Sequence, residues 1–287
     1  MEIATVPDFE AFKAAARDQW DKSAPGWNNH TASVRTWLRS ATDAMLEMAE
    51  IRPGARVLDV AAGAGDQTLD IAKRVGPAGM VLATDLSPAI LALAQDNARR
   101  AGHGNVETRV ADGERLQLAE GTFDAAVCRL GLMLFPDPVQ GLLEMYRALK
   151  PGGGICTMVF SQAETNPCIT TLMSSALRLA GLPPRDPYQP GSLLSLGKPG
   201  MIDEAFRRAG FRHIATTRVD APFRLPSVHD YLEFVRASAS PIQQILRKLD
   251  DDAERAAWAD IGERLKRFET ATGWEGPNEL LLTAARR

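Results

Sequence analysis

The chain has 287 residues, of which 45% are hydrophobic and 24% charged, and a formal net charge of -3. That is enough for one large core with an attachment and too little for two full domains, and the composition excludes a disordered or fibrous protein. A net negative chain without a convincing basic patch has no general attraction to nucleic acid or an anionic membrane, and Cys128, Cys156 and Cys168 lack the paired spacing of a zinc site or a disulfide framework.

No uninterrupted run of about 18 apolar residues occurs, and the opening MEIATVPDFEAFKAAARDQW carries acids and no apolar core, so neither a membrane span nor an export leader is expected. The expected location is cytoplasmic. In chain order, residues 1–50 read as helical, with Trp20, Trp27 and Trp37 spaced along them, and are expected to fold over a sheet edge as an N-terminal lid. From about 55 to 160 short β-branched runs alternate with helical patterns, which implies a parallel sheet with helices on both faces. Strands are expected at 56–60, 79–84, 105–110, 123–128 and 153–159. Ser87-Pro88 and Asp137-Pro138 each supply a cap and a first-turn proline for a helix, and Pro151-Gly152-Gly153-Gly154 breaks the chain before the fifth strand. AFRRAGFRHIATTRVDAPFRL then predicts a helix, a turn and one long strand, and ELLLTAARR a last strand. The fold class is therefore α/β: a Rossmann-like, seven-stranded, mostly parallel sheet with helices on both faces and the last strand antiparallel. Residues 51–225 and 277–287 are assigned to this cofactor-binding unit. The helical stretch 226–276, too long for a hairpin loop, is expected to cap the substrate site.

The segment VLDVAAGAGDQTLDIA, residues 57–72, reads as strand, glycine turn and helix, an arrangement that suits a nucleotide-like ligand because glycines admit it closely and a helix N-terminus favours negative charge. Gly63 and Gly65 are followed by Thr68 where the dinucleotide fingerprint has its third glycine. Acids stand at three successive strand ends: Asp59, Asp85 and Asp112, the last followed by Gly113. An acid at the second strand's end accepts hydrogen bonds from a ribose diol and repels a 2′-phosphate, so the ligand has an unphosphorylated ribose.

Taken together, VLDVAAGAG, TDLS, ADGERL, CRLGLMLFPDP and LKPGG resemble, in order and over about residues 55 to 160, the class I S-adenosylmethionine-dependent methyltransferases, in the subgroup similar to ubiquinone and menaquinone biosynthesis C-methyltransferases. The resemblance implies that Asp59, Ala61, Gly63 and Gly65 lie along the methionine end of the cofactor, that Asp85 takes the ribose hydroxyls and that Leu86 packs on the adenine. It also implies that Asp112 accepts the adenine amino group with Gly113 allowing close approach, and that Cys128 and Arg129 lie where the sulfonium end opens to the substrate. Ala61 stands where the family usually has glycine.

Each of these residues also has a plainer explanation. Cys128 is first a small buried hydrophobe that lines a wall, since methyl transfer needs no covalent intermediate. Arg129 either binds a substrate acid or pairs with a nearby carboxylate. Of the four histidines, His103 and His213 read as structural, whereas His30, in WNNHT, and His229, in SVHDYLEF, are the candidate general bases. Trp27 and Trp20 read as lid packing with a minor contact to the cofactor. Trp27, Met133 and Tyr188 are the candidate substrate contacts, with Met133, Leu134 and Phe135 forming an apolar stripe that serves either the core or a substrate wall. Asp250-Asp251-Asp252 reads as a solvated helix start and no metal site is expected.

The expected function is methyl transfer from S-adenosylmethionine to O, C or N of a small, partly apolar acceptor, by in-line displacement in which positioning and water exclusion dominate. No nucleic-acid or membrane partner is expected, and a homodimer is compatible with the reading. Two rivals stand beside it: a nicotinamide-dependent oxidoreductase, opposed by Thr68 and the terminal strand pair, and a non-catalytic binder of the same cofactor.

Overall fold

The computed structural model describes residues 9–238 and 240–287. The chain opens with helices α1 (Phe9–Asn29) and α2 (Thr31–Met48). An alternating series follows: β1 (Arg56–Val60), α3 (Asp66–Val75), β2 (Met80–Asp85), α4 (Pro88–Arg100), β3 (Val106–Val110), β4 (Phe123–Arg129), α5 (Pro138–Ala148) and β5 (Leu149–Phe160). Helices α6 (Pro167–Leu179) and α7 (Met201–Arg208) lead to β6 (Arg212–Asp220) and β7 (Phe223–Leu225). Helices α8 (Val228–Ser238), α9 (Ser240–Leu246) and α10 (Asp251–Leu265) then precede β8 (Glu269–Thr270), β9 (Gly273–Gly276) and β10 (Glu279–Arg286).

Seven strands form one sheet in the order β3-β2-β1-β4-β5-β10-β6. The first five are parallel, and β10 runs antiparallel to both β5 and β6. This is the α/β architecture expected from the sequence. Parallel strands buried on both faces read as continuous apolar runs, and Val57, Leu58, Val60, Val81, Ala83, Ala126 and Val127 are all at most 1% exposed. Helices α2, α3 and α4 touch in a row along one face, while α5 and α7 pack together on the other. The expected caps form: Ser87 Oγ accepts from the Ile90 amide at 3.1 Å and Asp137 Oδ1 from the Gln140 amide at 3.1 Å.

Two expectations need correction. The long strand after α7 is broken: β6 ends at Asp220, and β7 joins β9 and β8 in a separate three-stranded sheet. The break falls at Ala221-Pro222, where proline cannot donate to a ladder and the Ala221 amide turns to the Asn278 carbonyl at 2.8 Å. The Pro151-Gly154 stretch does not separate helix from strand but lies within β5, where the pairing with β4 shifts register between Phe123 and Ala125.

The stretch 226–276 is mainly helical, as expected, with β8 and β9 added. Its helices lean on α6 and α1, and its aromatics join the core: Tyr231 stacks on Trp274 at 4.3 Å and meets edge-on Phe223, which itself stacks on Trp37 at 4.6 Å. Trp37 Nε1 also donates to the Ala221 carbonyl at 2.7 Å, tying α2 to the break between the two sheets.

Candidate functional site

The C-terminal ends of β1, β2 and β4 and the turn after β3 open into one cleft, of roughly 1020 Å³ including its mouth. Its floor is Ala61–Gly63, Asp85 and Leu86, Asp112–Glu114 and Arg129–Gly131, and its roof is the face of α1 carrying Phe12, Lys13, Ala16, Trp20 and Trp27. A crevice beyond the carboxyl ends of parallel strands, where the order reverses between β1 and β4, is where open α/β sheets bind ligands.

The backbone of the first turn is bent to fit. Gly63 and Gly65 have φ of 58° and 83°, and a Cβ on Gly65 would lie 2.9 Å from Ala94 Cβ. Ala61 also sits at positive φ, 55°, in the left-handed region that favours glycine, and Leu130 at the end of β4 does likewise at 57°. A Cβ on Gly131 would fall 2.4 Å from Ala61 Cβ, so the methyl carried by Ala61 is accommodated by a missing one at Gly131. At the far end, Phe135 packs against Gly113, where a Cβ would meet the tip of its ring at 2.2 Å.

The three strand-end acids play different parts. Asp85 lines the cleft and its carboxylate accepts from the Gly63 amide at 2.9 Å and the Ser87 amide at 3.0 Å. Burial pushes its carboxyl above the ordinary value, against those amide bonds. Asp112 accepts from the Glu114 amide at 2.9 Å and pairs with Lys13 Nζ at 2.8 Å, which also reaches Glu114 at 2.5 Å. Burial alone would lower the Lys13 ammonium, but bonds to the two carboxylates outweigh it and hold it above its usual value. Asp59 is fully buried beneath the turn rather than in the cleft lining, accepting from Thr68 Oγ1 at 2.6 Å and Gln67 Nε2 at 3.1 Å. Burial pushes it up to about 6, against those two bonds and the charge of Arg129.

Arg129 lines the cleft while its guanidinium bonds to Thr42 Oγ1 at 3.0 Å and to Asp66 Oδ2. Cys128, next to it, is fully buried, packed toward Gly131, with its thiol pushed by burial to about 12; it is a core residue outside the cleft lining. Of the three candidate substrate contacts only Trp27 reaches the cleft, edge-on to Trp20 and close to Gly63, and Leu134 and Phe135 of the apolar stripe line it too. Met133 is 2% exposed with its carbonyl bound by Ser195, and Tyr188 receives the Ala163 amide at 3.0 Å under Lys198, both away from the cleft lining.

His30 precedes α2, its Nδ1 2.8 Å from the Gly26 carbonyl and its ring against Phe234, one layer behind Trp27. His229 lies on the outer face of α8, 73% exposed beside Glu233, because the buried Val228, Tyr231, Leu232 and Val235 fix which side of that helix faces in. Neither histidine is brought to the cleft. Lining residues with no individual signal in the sequence include Lys13, Leu38, Gln67 and Glu114. Glu114 stands in ADGERL and was within reach of motif reading; Lys13 carries no local signal.

The donor set fits S-adenosylmethionine. A carboxylate has about four acceptor positions, so Asp85, with two used by amides, keeps room for a ribose diol. Leu86 and Phe135 offer apolar surface for a purine near the Asp112 carboxylate, while the absence of a side chain at Gly113 makes room for the Phe135 ring itself. A model of the ubiE/COQ5 methyltransferase family matches residues 31–176, just over half of the sequence. The chain belongs to the ubiE/COQ5 methyltransferase family. The matched span runs from α2 into α6 and includes the strand ends of β1, β2 and β4 that border the cleft.

Among curated proteins this family member is similar to the ubiquinone/menaquinone biosynthesis C-methyltransferase UbiE of Haemophilus ducreyi, 35% identical over 134 residues, 46% of this chain and 50% of that protein. The chain spans about half the length of the curated relatives it matches. In fold it is similar to the YcgJ protein of Bacillus subtilis, with TM-score 0.58 and 19% identity, covering 87% of this chain and 98% of that one. It is also similar to phosphoethanolamine N-methyltransferase 2 of Haemonchus contortus, solved with S-adenosyl-L-methionine, with TM-score 0.56 and 18% identity over 91% of this chain and 57% of that one. Among the described residues no helix is long and apolar enough to cross a membrane, and no group of three His, Cys, Asp or Glu side chains is placed to hold a metal.

Proposed function

We propose that the protein transfers a methyl group from S-adenosylmethionine to O, C or N of a small, partly apolar acceptor. The observation that carries this reading is the convergence of Asp85, Asp112 and the Ala61–Gly65 turn on one cleft roofed by Trp20 and Trp27. When bound, the cofactor supplies an electrophilic methyl on a sulfonium. Asp85 holds the ribose hydroxyls, Asp112 the adenine amino group, and Leu86 and Phe135 the faces of the ring. Ala61, Gly63 and Arg129 border the methionine end, and Trp27 and Leu38 exclude water from the side where an acceptor enters.

In this reading α1 and α2 act as a lid, residues 1–8 of the expected 1–50 segment lying outside the described residues. Residues 51–225 and 277–287 form the cofactor unit, 226–276 caps the acceptor side, and the enzyme works in the cytoplasm without nucleic acid or membrane. A roof that buries the cleft under apolar side chains favours a small acceptor over a macromolecule. Calorimetric titration with S-adenosylmethionine and with NADH, repeated on Asp85→Ala, tests the reading. Micromolar binding of the sulfonium compound, lost in the variant, is the expected result; binding of NADH alone would replace the reading with the oxidoreductase one.

A further inference from the structure

The seven-stranded sheet ends at β3 on one side and at β6 on the other, and among the described residues neither has a strand beyond it. The β3 edge is 5 residues long and the β6 edge 9. An edge strand presents a row of unpaired amides and carbonyls, which proteins protect with prolines, lysines, bulges or a covering segment. In β6 that protection covers only the start: His213 has φ of 55°, and His213 and Ile214 together face Ala285 across a bulge. From Ala215 to Asp220 the ladder with β10 is regular, no proline or lysine occurs, and every residue but the half-buried Val219 is exposed.

One bond fixes which backbone groups face outward. The Ala221 amide donates to the Asn278 carbonyl, so in this antiparallel ladder Val219, Thr217 and Ala215 also turn their backbone groups to β10. Thr216, Arg218 and Asp220 therefore turn theirs to the open side. Beside this edge, on the face covered by α7, lies a groove of roughly 570 Å³ including its mouth, lined by Asp203, Thr216, Arg218 and Glu279 among others. Asp203 accepts from Thr216 Oγ1, and Glu279 from Ser161 Oγ at 2.6 Å and Thr165 Oγ1 at 3.2 Å. Among the described residues neither acid is ion-paired, and nor is Arg218. The groove thus carries two carboxylates to one guanidinium.

We propose that β6 is the self-pairing edge of a two-fold dimer, in which the β6 strands of two copies run antiparallel and join their sheets. Charge and chain direction choose the register. A two-fold centred on Arg218 sets arginine against arginine; one on Val219 brings Pro222, which has no amide proton, into the ladder; one on Thr216 runs Arg218 into the bulge at Ile214. Centred on Thr217, Arg218 of each copy lies opposite Thr216 of the other, on the α7 face and at the groove that holds Asp203. Each copy then gives an unpaired guanidinium to an unpaired carboxylate and receives the same in return. This self-complementarity singles out a second copy of the chain over any other strand. The contact is small and polar, which makes the dimer a weak one.

The test is sedimentation velocity from about 1 to 500 µM, with residue-resolved hydrogen exchange at both ends of that range. The expected result is a dimer with a dissociation constant on the order of 10 to 100 µM. The Thr216 and Arg218 amides should slow several-fold at high concentration, while those of Thr217 and Val219 stay slow at both. Arg218→Glu should weaken the dimer about tenfold or more, and adding Asp203→Arg should restore it. A chain that stays monomeric throughout, Thr216 and Arg218 amides that ignore concentration, or a dimer indifferent to Arg218→Glu each overturns the proposal. Arg218 is exposed and its side chain makes no hydrogen bond within the chain, so Arg218→Glu leaves the fold intact. Should Asp203→Arg loosen α7, the single variant and the wild-type amides decide.

Discussion

At its Asp112 end the cleft is closed from outside, by a lysine on α1 that reaches across 99 positions of sequence to a strand-end acid, whereas at its Arg129 end it is built from the sheet and its first helices. Lys13 is 14% exposed and Asp112 25%, while Arg129 and Asp66 are 5% and 3% exposed. The difference teaches where rigidity sits. Ion pairs that water and salt can reach hold a moving part for little free energy, and buried pairs fix a geometry at a high cost when broken. The strained backbone gathers at the second end as well, with Ala61, Gly63, Gly65 and Leu130 all at positive φ.

The largest effect is expected at the inner end. Gly65→Ala combines a left-handed residue with a Cβ 2.9 Å from Ala94, and the two penalties together come to about 4 kcal/mol, read as a thermal midpoint lowered by roughly 10 °C. A midpoint within 2 °C of wild type, on the order of the change from a neutral surface substitution, would show the turn to be adaptable.

Asp59 gives the next. Because its folded carboxyl holds a proton up to about 6, well above the unfolded value, the folded state binds more protons between about pH 4 and pH 6, and stability from this group falls as pH rises through that window. Full linkage is roughly 3 kcal/mol. Asp85, also raised, adds a slope of the same sign. Asp59→Asn keeps partners for Thr68 and Gln67 and should flatten the pH dependence of the melting temperature; an unchanged slope would place the proton elsewhere.

The pairing of Ala61 with Gly131 is tested by a cycle. Gly131→Ala should cost about 2 kcal/mol by overpacking, Ala61→Gly should gain about 1 kcal/mol by releasing a left-handed alanine, and the double variant should recover more than their sum. Simple additivity in denaturant melts would mean the two methyl positions do not meet. At the outer end, Lys13→Met should change global stability by less than about 1 kcal/mol, yet make release of bound cofactor several-fold faster and less dependent on salt, as stopped-flow tryptophan fluorescence would record. A loss as large as that of Gly65→Ala would erase the contrast between the two ends.

The contrast also explains what sequence could and could not show. The strand ends were legible because Asp59, Asp85 and Asp112 follow apolar runs, and the helix starts because Ser87 and Asp137 precede prolines. The outward position of His229 was legible too, since 229 and 233 fall opposite the apolar 228, 231, 232 and 235. The pairing of Lys13 with Asp112 and of Arg129 with Asp66 depends on contacts across 99 and 63 positions, which no local pattern encodes. The break between β6 and β7 has its signal in Pro222, which is masked by the strand-like pattern of the residues on both sides of it.

One feature of the sheet bears on how the protein is made. Strand β10 lies between β5 and β6 and pairs with both along almost its whole length. During synthesis β6 therefore emerges with no neighbour in the sheet, and β5 waits with one edge open, until residues 279–286 leave the ribosome. The cleft-bearing strands β1 to β5 can assemble earlier, so the ligand site and the finished sheet arise at different moments of translation.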